Sequence, residues 1–194
     1  MCLVPPTKHP LATAWTIYYE PGAQATPRGA RQKRWVDTLT KLPSFSHAED
    51  YWALQRVLPP PSLLRGGSVY LFRSDLGPPC WESWPDGGKW LIAVSGGLDV
   101  DETWERLCVA LLGEQLEDSE GVCGGVCNAG RLALWVHNAA TQQHGEEEIA
   151  ASITSLLKLP PDAEAPTFAG HRRPPVSRAV SVESGMGSSR SADE

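Results

Sequence analysis

The segment GVCGGVCNAGRLALWVH, residues 121–137, decides the fold because it predicts a β-hairpin. Two extended runs, 121–127 and 131–137, are joined by the short turn Asn128-Ala129-Gly130. Short turns with asparagine and glycine at the corner connect antiparallel strands. The segment therefore indicates that at least part of the sheet is antiparallel.

Further strands are predicted on the amino-terminal side of this hairpin. Between residues 13 and 20, Trp15, Ile17 and Tyr19 alternate with Thr16 and Tyr18, the period of a strand with one buried face. Extended patterns also occupy residues 33–42, 68–72 and 89–94. Trp35 stands where a Pro- and Gly-rich loop becomes the second of these predicted strands.

Three helices are predicted between the strands. The first covers about residues 47–58, with a capping box formed by Ser46 and Glu49 at its start and prolines after its end. The others cover about 101–116 and 145–157. We therefore expect an α+β domain, in which the helices cover one face of a mostly antiparallel sheet and leave the other face open to solvent.

Length and composition favour one domain with a flexible end. The chain has 194 residues, 41% of them hydrophobic, and we expect a domain over residues 1–173 and a disordered tail over 174–194. No apolar run approaches the roughly 18–20 residues of a membrane span, and the opening residues do not resemble a signal peptide. A cytoplasmic monomer is expected, with a nuclear pool as the alternative.

The five cysteines are better explained as reduced thiols than as a disulfide framework. Cys123 and Cys127 are the one close pair, and their spacing does not match common zinc motifs. Buried strand cysteines are favoured over a metal site. We expect no metal and no cofactor.

The net charge of −6 argues against a general nucleic-acid-coating surface, because such binding depends on neutralising phosphates. Any contact with RNA must be local. One basic cluster lies directly before Trp35, and it consists of Arg28, Arg31, Lys33 and Arg34. A solvated loop is the alternative explanation for this cluster.

The eight tryptophans fall into groups with different surroundings. Trp15, Trp90, Trp104 and Trp135 lie within predicted strands and helices, where core packing is the expected role. Trp35 and Trp81 lie at loop edges, where packing explains them less well.

With these features together, the chain resembles the eukaryotic translation initiation factor 4E family over roughly residues 9–171. Each supporting stretch is weak alone, but their shared order and spacing make the match specific. The stretches are HPL (9–11), AEDYWAL (48–54), PCWE (79–82), GKWLI (88–92), LLGE (111–114), VCG (122–124) and LALW (132–135).

The resemblance implies a curved sheet with three helices on its convex face and a ligand, the 7-methylguanosine cap at the messenger RNA 5′ end, on its concave face. Trp35 and Trp81 match the family's two stacking positions, which suit a cationic methylated base. Glu82 matches the carboxylate that reads the guanine edge by hydrogen bonds. Trp135 matches the residue that lines the methyl group's pocket.

The resemblance assigns the cap phosphates to basic residues, and here the sequence departs from the family pattern. Arg131 matches the last basic position, but the preceding turn is short and lacks the other basic residues usual there. Replacements are expected from basic residues on two loops: Arg28, Arg31, Lys33, Arg34, His171, Arg172 and Arg173.

The resemblance also implies a second surface on the helical back, where a 4G-like scaffold or a 4E-binding protein presents an amphipathic helix. Trp52 matches the exposed tryptophan of that surface. The expected partner-binding residues are His9, Pro10, Glu49, Trp52, Val109 and Leu112. Ala48, Glu105 and Arg106 replace residues that are larger, apolar or acidic in better-known members, so the groove is expected to be altered and partner choice to differ. The alternative is that Trp52 packs inward.

Two other classes of function are alternatives to cap binding. An enzyme would draw on Glu82, Asp86, His137 and His144, but no nucleophile, base and orienting acid occur at a recognisable spacing. We therefore expect no catalysed reaction. A scaffold or translational repressor that lost cap binding is the second alternative. The sequence leaves open whether the protein promotes or represses translation.

Overall fold

The computed structural model describes residues 8–20, 22, 35–94, 97–116, 118–139 and 144–171. Within them lie three α-helices: α1 (Ala48–Gln55), α2 (Val100–Leu112) and α3 (Glu146–Leu157). The same residues form eight strands. These are β1 (Pro10–Glu20), β2 (Thr40–Lys41), β3 (Phe45–His47), β4 (Ser68–Arg73), β5 (Gly88–Ala93), β6 (Val122–Asn128), β7 (Arg131–Val136) and β8 (Thr167–Gly170).

The strands form one antiparallel sheet in the order β2-β1-β4-β6-β7-β5-β8, with β3 paired to β1. The predicted hairpin is confirmed as β6 and β7, whose register pairs Asn128 with Arg131. Its corner residues Ala129 and Gly130 have φ angles of 46° and 78°, the positive values that a two-residue hairpin turn requires. The register of this pair shifts between Val122 and Gly124, which marks a β-bulge.

The main core lies between the sheet and the helices. Trp15 of β1, Leu71 of β4 and Trp90 of β5 are fully buried there, and they belong to the same cluster as Leu107 of α2 and Ile153 of α3. The predicted core roles of Trp15, Trp90 and Trp104 are confirmed. The three helices therefore back one face of a curved sheet, as the α+β prediction requires.

A second, smaller cluster lies on the opposite, concave face. Tyr18, Tyr70, Phe72 and Trp135 are buried there, and Trp84 from the β4–β5 loop packs against them. The prediction that this face stays open to solvent is therefore wrong in part. Trp84 packs there because β1, β4 and β7 all carry aromatic side chains on this face.

Two local predictions are wrong at the start of α1 and before β2. Ser46 lies in β3, whose pairing with β1 keeps the backbone extended to His47, so the helix begins later and has no side-chain cap. Glu49 instead accepts a hydrogen bond from the backbone N–H of His9 at 3.0 Å. The predicted strand over 33–42 is reduced to β2, because residues 35–38 form a 3₁₀ turn.

The cysteines of β6 are buried, as the sequence analysis favoured. Burial raises the pKa of Cys123 and of Cys127 to about 12, so both remain neutral thiols at physiological pH. None of the helices among the described residues has the length and apolar character needed to cross a bilayer. The predicted tail lies outside the described residues.

Candidate functional site

A cavity of about 440 Å³ opens on the concave face. Its lining includes five residues that the sequence analysis selected for one site: Trp35, Trp81, Glu82, Arg131 and Trp135. They come from two loops and from β7, so the fold brings together side chains that are 100 residues apart at the extremes. The volume lies within the range typical of small-molecule sites.

Trp35 forms one wall of this cavity. It begins the 3₁₀ turn of residues 35–38 and is 40% exposed. Its indole Nε1–H donates to Oε1 of Glu20 at 2.8 Å, and its ring meets Tyr70 edge-on with centroids 5.8 Å apart. The ring is thus tied to the sheet at its edge while much of its surface remains free.

Trp81 and Glu82 form the second wall, on a 3₁₀ turn in the loop between β4 and β5. Trp81 is 37% exposed. The loop is fixed by backbone hydrogen bonds from Ser83 to Cys80 and from Gly87 to Trp84. Oε2 of Glu82 accepts a hydrogen bond from the Cys80 thiol at 3.1 Å. The carboxylate is exposed and retains acceptor capacity for a ligand.

The inner end of the cavity is a cluster of aromatic side chains around Trp135, which is only 8% exposed. Its ring contacts Phe72, Trp84 and His171 edge-on, with centroids 5.6, 6.3 and 5.0 Å away. The His171 Nδ1–H donates to the Trp84 carbonyl at 2.9 Å. Trp84 stacks on Phe72, at an interplanar angle of 15°. These contacts give the cavity a rigid apolar floor.

Lys89 is a cation of the site that sequence reasoning missed. It lines the cavity together with Arg131, and it also lines an adjoining cavity of about 340 Å³ beside Trp81 and Trp135. The signal was present in β5: Trp90 is buried in the main core, so its neighbour Lys89 must lie on the concave face. The strand register then pairs Lys89 with Trp135.

Of the other predicted phosphate-binding residues, only His171 lies within the described residues. His171 is held in the aromatic floor by Trp84 and lines the adjoining cavity. The remaining residues of that prediction lie outside the described residues, so their role stays a prediction: Arg28, Arg31, Lys33, Arg34, Arg172 and Arg173.

Glu20 is the second residue that the sequence analysis missed. Besides Trp35, its carboxylate accepts hydrogen bonds at Oε2 from Ser68 Oγ at 3.1 Å and from Tyr70 Oη at 3.0 Å. Asn128 in turn donates to Ser68 Oγ at 2.6 Å. Strand alternation in β1, which puts Tyr18 on the concave face, also puts Glu20 there.

The helical back exposes the predicted partner surface in part. Trp52 and Val109 are each 40% exposed, whereas Leu112 is only 8% exposed. Trp52 rests edge-on against the buried Tyr51, with centroids 5.0 Å apart, so it does not pack inward. At one end of this surface the hydrogen bonds from His9 hold the pKa of Glu49 down at about 2.

Three of the four residues considered for an enzyme lie in different surroundings. Glu82 lines the concave cavity. His137 and His144 instead contact the Glu120 carbonyl and the Asp118 carboxylate, each at 3.3 Å. Their placement fits surface histidines held by local polar partners.

A curved antiparallel sheet with three helices behind it and an indole-walled cavity in front defines the class of protein, an α+β domain with an aromatic cavity on its concave face. A family model described as eukaryotic initiation factor 4E matches residues 10–181. The chain belongs to the eukaryotic initiation factor 4E family.

Curated relatives agree with this assignment. Eukaryotic translation initiation factor 4E1 of Drosophila melanogaster is 32% identical over 160 residues, which cover 78% of this chain and 57% of the relative. The Saccharomyces cerevisiae factor 4E is 32% identical over 173 residues, with coverages of 83% and 76%. The matched region thus spans little more than half the length of the Drosophila relative.

Solved structures share the fold at 27–29% identity. The C. elegans eIF4E-3 complex with the 4E-binding protein Mextli gives a TM-score of 0.71 and covers 86% of this chain and 95% of that one. Schistosome eIF4E with m7GpppG and 4E-BP gives 0.68, with coverages of 84% and 88%. Ascaris suum eIF4E-3 with an m7G cap also gives 0.68, with coverages of 88% and 95%.

Proposed function

We propose that the protein binds the 7-methylguanosine 5′ cap of messenger RNA and a partner protein, and acts in translation initiation or its regulation. One observation carries the cap proposal. Two partly exposed indoles, an exposed carboxylate and a buried tryptophan floor line a single concave cavity. Family relatives solved with m7GpppG and with an m7G cap support the choice of ligand.

The walls suit a flat cation. Methylation at N7 gives guanine a delocalised positive charge, and electron-rich indole faces attract such a ring by stacking and cation–π interaction. Trp35 and Trp81 supply the two faces. Trp135 at the floor leaves an apolar place for the methyl group, where a charged or hydrated substituent would lose its solvation.

Base identity is read by Glu82. Its two carboxylate oxygens accept hydrogen bonds from the guanine N1–H and N2–H₂ groups. The thiol of Cys80 uses one acceptor site of Oε2. An ionised carboxylate offers about four such sites, so the thiol and the base do not compete for a single lone pair.

The phosphates are held by Lys89 and Arg131. Both side chains line the cap cavity, Lys89 on β5 and Arg131 where β7 leaves the shortened turn. A lysine ammonium and an arginine guanidinium suit phosphate oxygens through charge-assisted hydrogen bonds. We propose that basic residues outside the described ranges also contact the phosphates. The site binds its ligand without catalysing a reaction.

The helical back binds an amphipathic helix of a 4G-like scaffold or a 4E-binding protein. Trp52 and Val109 supply exposed apolar surface on neighbouring helices. Relatives solved with 4E-BP and with Mextli support this class of partner. We further propose that the protein acts as a cytoplasmic monomer, with a nuclear pool as the alternative.

The decisive experiment is a fluorescence titration with 7-methyl-GTP and with GTP. At least a tenfold preference for the methylated nucleotide, a gap of about 1.4 kcal/mol, is expected. Trp35→Ala, Trp81→Ala and Glu82→Ala should abolish that preference. Trp52→Ala is the matched control, because it removes an equally exposed indole from the opposite face.

The contrary result favours the alternative function. If neither nucleotide binds to the folded wild-type protein, the chain is a 4E-like scaffold or repressor with lost cap binding. Its function would then depend on the proteins that bind through Trp52.

A further inference from the structure

The Trp35 ring is held by a partly buried polar network, in addition to the backbone pairing of the strand that follows it. We propose that Glu20 is a positioning and specificity-determining residue, which fixes the Trp35 indole and strengthens its attraction for a cationic base. This inference rests on the proposed cap-binding function.

The segment after Trp35 is joined to β1 by backbone hydrogen bonds. Its strand β2 pairs with β1 at Tyr18–Lys41 and Tyr19–Thr40, and the Leu42 N–H donates to the Ile17 carbonyl at 2.9 Å. None of these bonds involves the Trp35 ring. Within the turn, the Thr38 hydroxyl donates to the Trp35 carbonyl at 2.6 Å, which fixes the backbone but not the ring. The hydrogen bond from Trp35 Nε1–H to Glu20 at 2.8 Å, by contrast, holds the ring itself.

Glu20 is in turn anchored from its buried side. Ser68 is fully buried and Tyr70 nearly so, and both hydroxyls donate to Oε2, which leaves Oε1 for the indole. Tyr70 also meets the Trp35 ring edge-on. Trp35, Glu20 and Tyr70 thus form a closed triangle of contacts, in which displacing one member disturbs both others.

The network reaches the phosphate side of the cavity as well. Asn128 donates to Ser68 Oγ, and Asn128 is the residue that pairs with Arg131 across the β6–β7 turn. A solvated acid at the end of a strand would need none of these partners. The arrangement instead links the first stacking wall to the turn that presents Arg131.

The negative charge of Glu20 affects ligand preference as well as the position of Trp35. A carboxylate that accepts from an indole N–H draws the proton towards itself, so the π-face of the indole becomes more electron-rich. A cationic ring on that face gains more from this change than a neutral ring does. Glu20 should therefore increase the preference for methylated over unmethylated guanine, and not merely the affinity for both.

Glu20→Gln separates the two roles, because it keeps an acceptor oxygen and removes the charge. We expect it to weaken 7-methyl-GTP binding roughly threefold, as befits an exposed cation–π contribution, while GTP binding stays nearly unchanged. Glu20→Ala should weaken both nucleotides. Tyr70→Phe removes a single hydroxyl and should have a smaller effect. Glu147→Gln, on the exposed helical side, is the matched control.

A double-mutant cycle tests whether the effect passes through the indole N–H. Phenylalanine lacks that donor, so Glu20→Gln should change the methyl preference little in a Trp35→Phe background. Equal effects of Glu20→Gln in both backgrounds would overturn the proposal, as would wild-type nucleotide preference in Glu20→Gln and Glu20→Ala.

A ligand-free readout keeps this test separate from the proposed function. The Trp35 indole N–H resonance, identified by its loss in Trp35→Phe, should exchange faster with solvent in Glu20→Ala. If the wild-type protein binds no cap but this exchange changes, the cap-binding function fails and the positioning role stands. An unchanged exchange rate would remove Glu20 from the positioning of Trp35.

Discussion

The two faces of the sheet expose tryptophan to a similar degree but surround it differently. On the concave face, Trp35 and Trp81 stand beside carboxylates, cations and a buried aromatic floor. On the convex face, Trp52 of α1 rests on Tyr51, and Val109 of α2 is also exposed. Exposure alone therefore does not define the ligand. A cavity with two indole walls and charged side chains suits a small ionic ligand, whereas an open helical surface with exposed apolar side chains suits a partner helix.

The largest effect is expected where the helices pack on the sheet. Leu107→Ala should lower the free energy of unfolding by about 2–5 kcal/mol, because Leu107 is fully buried in the main core. Urea unfolding measures the loss. Val109→Ala, on the exposed side of the same helix, should change it by less than about 0.5 kcal/mol. Similar losses for both variants would contradict this division of α2.

A reciprocal pair of variants tests the division between the two ligand surfaces. Trp81→Ala should weaken 7-methyl-GTP binding by about 1–3 kcal/mol and leave binding of an amphipathic partner peptide unchanged. Trp52→Ala should do the reverse. Calorimetric titrations with both ligands measure the two effects. Loss of both ligands in one variant, with an unchanged melting temperature, would mean that the faces are coupled.

Charge reversal at Arg131 sharpens the description of the concave face. Arg131→Glu should weaken binding of 7-methyl-GTP more than binding of 7-methylguanosine, because only the nucleotide carries phosphates. The difference should shrink as salt is raised. Lys89→Gln should show the same pattern with a smaller effect. Equal losses for both ligands would remove the residue from the phosphate site.

The smallest effect concerns pH and the convex face. Hydrogen bonds from His9 depress the pKa of folded Glu49 from 4.5 to about 2. The stabilisation is therefore fully present above pH 4.5 and is lost as the pH falls towards 2. Melting temperatures of the wild type and of Glu49→Gln should converge over that interval. Parallel curves down to pH 2.5 would show that the contact does not contribute.

Patterns among neighbouring residues predicted which helices and strands form better than they predicted where those elements begin and end. The turn after Asn128 and the helical spacing of Trp104, Leu107 and Leu111 are signals carried by neighbouring residues, and the hairpin and α2 followed from them. The capping box at Ser46 failed because pairing between β3 and β1 competes for the same backbone. That competition depends on a strand more than 25 residues earlier in the chain.

The site was predicted where a family resemblance fixed individual positions, and missed where only strand register reveals a neighbour. Trp35, Trp81, Glu82 and Trp135 were selected from the sequence, and the structure places them around one cavity. Strand alternation places Lys89 and Glu20 on the concave face, but a single charged residue in a strand does not show which residues lie across the sheet from it. Their partners became visible only when β5 was aligned with β7 and β1 with β4.

The bulge between Val122 and Gly124 has a consequence for the width of the cavity. Its extra residue bends the β6–β7 pair, and in the sheet order this pair lies between β1, which holds Trp35 through Glu20, and β5, which follows the Trp81 loop. The spacing between the walls is therefore set by backbone length as well as by the residues that touch the ligand. A one-residue deletion at Cys123 would change the aperture of the site while leaving its surface chemistry intact.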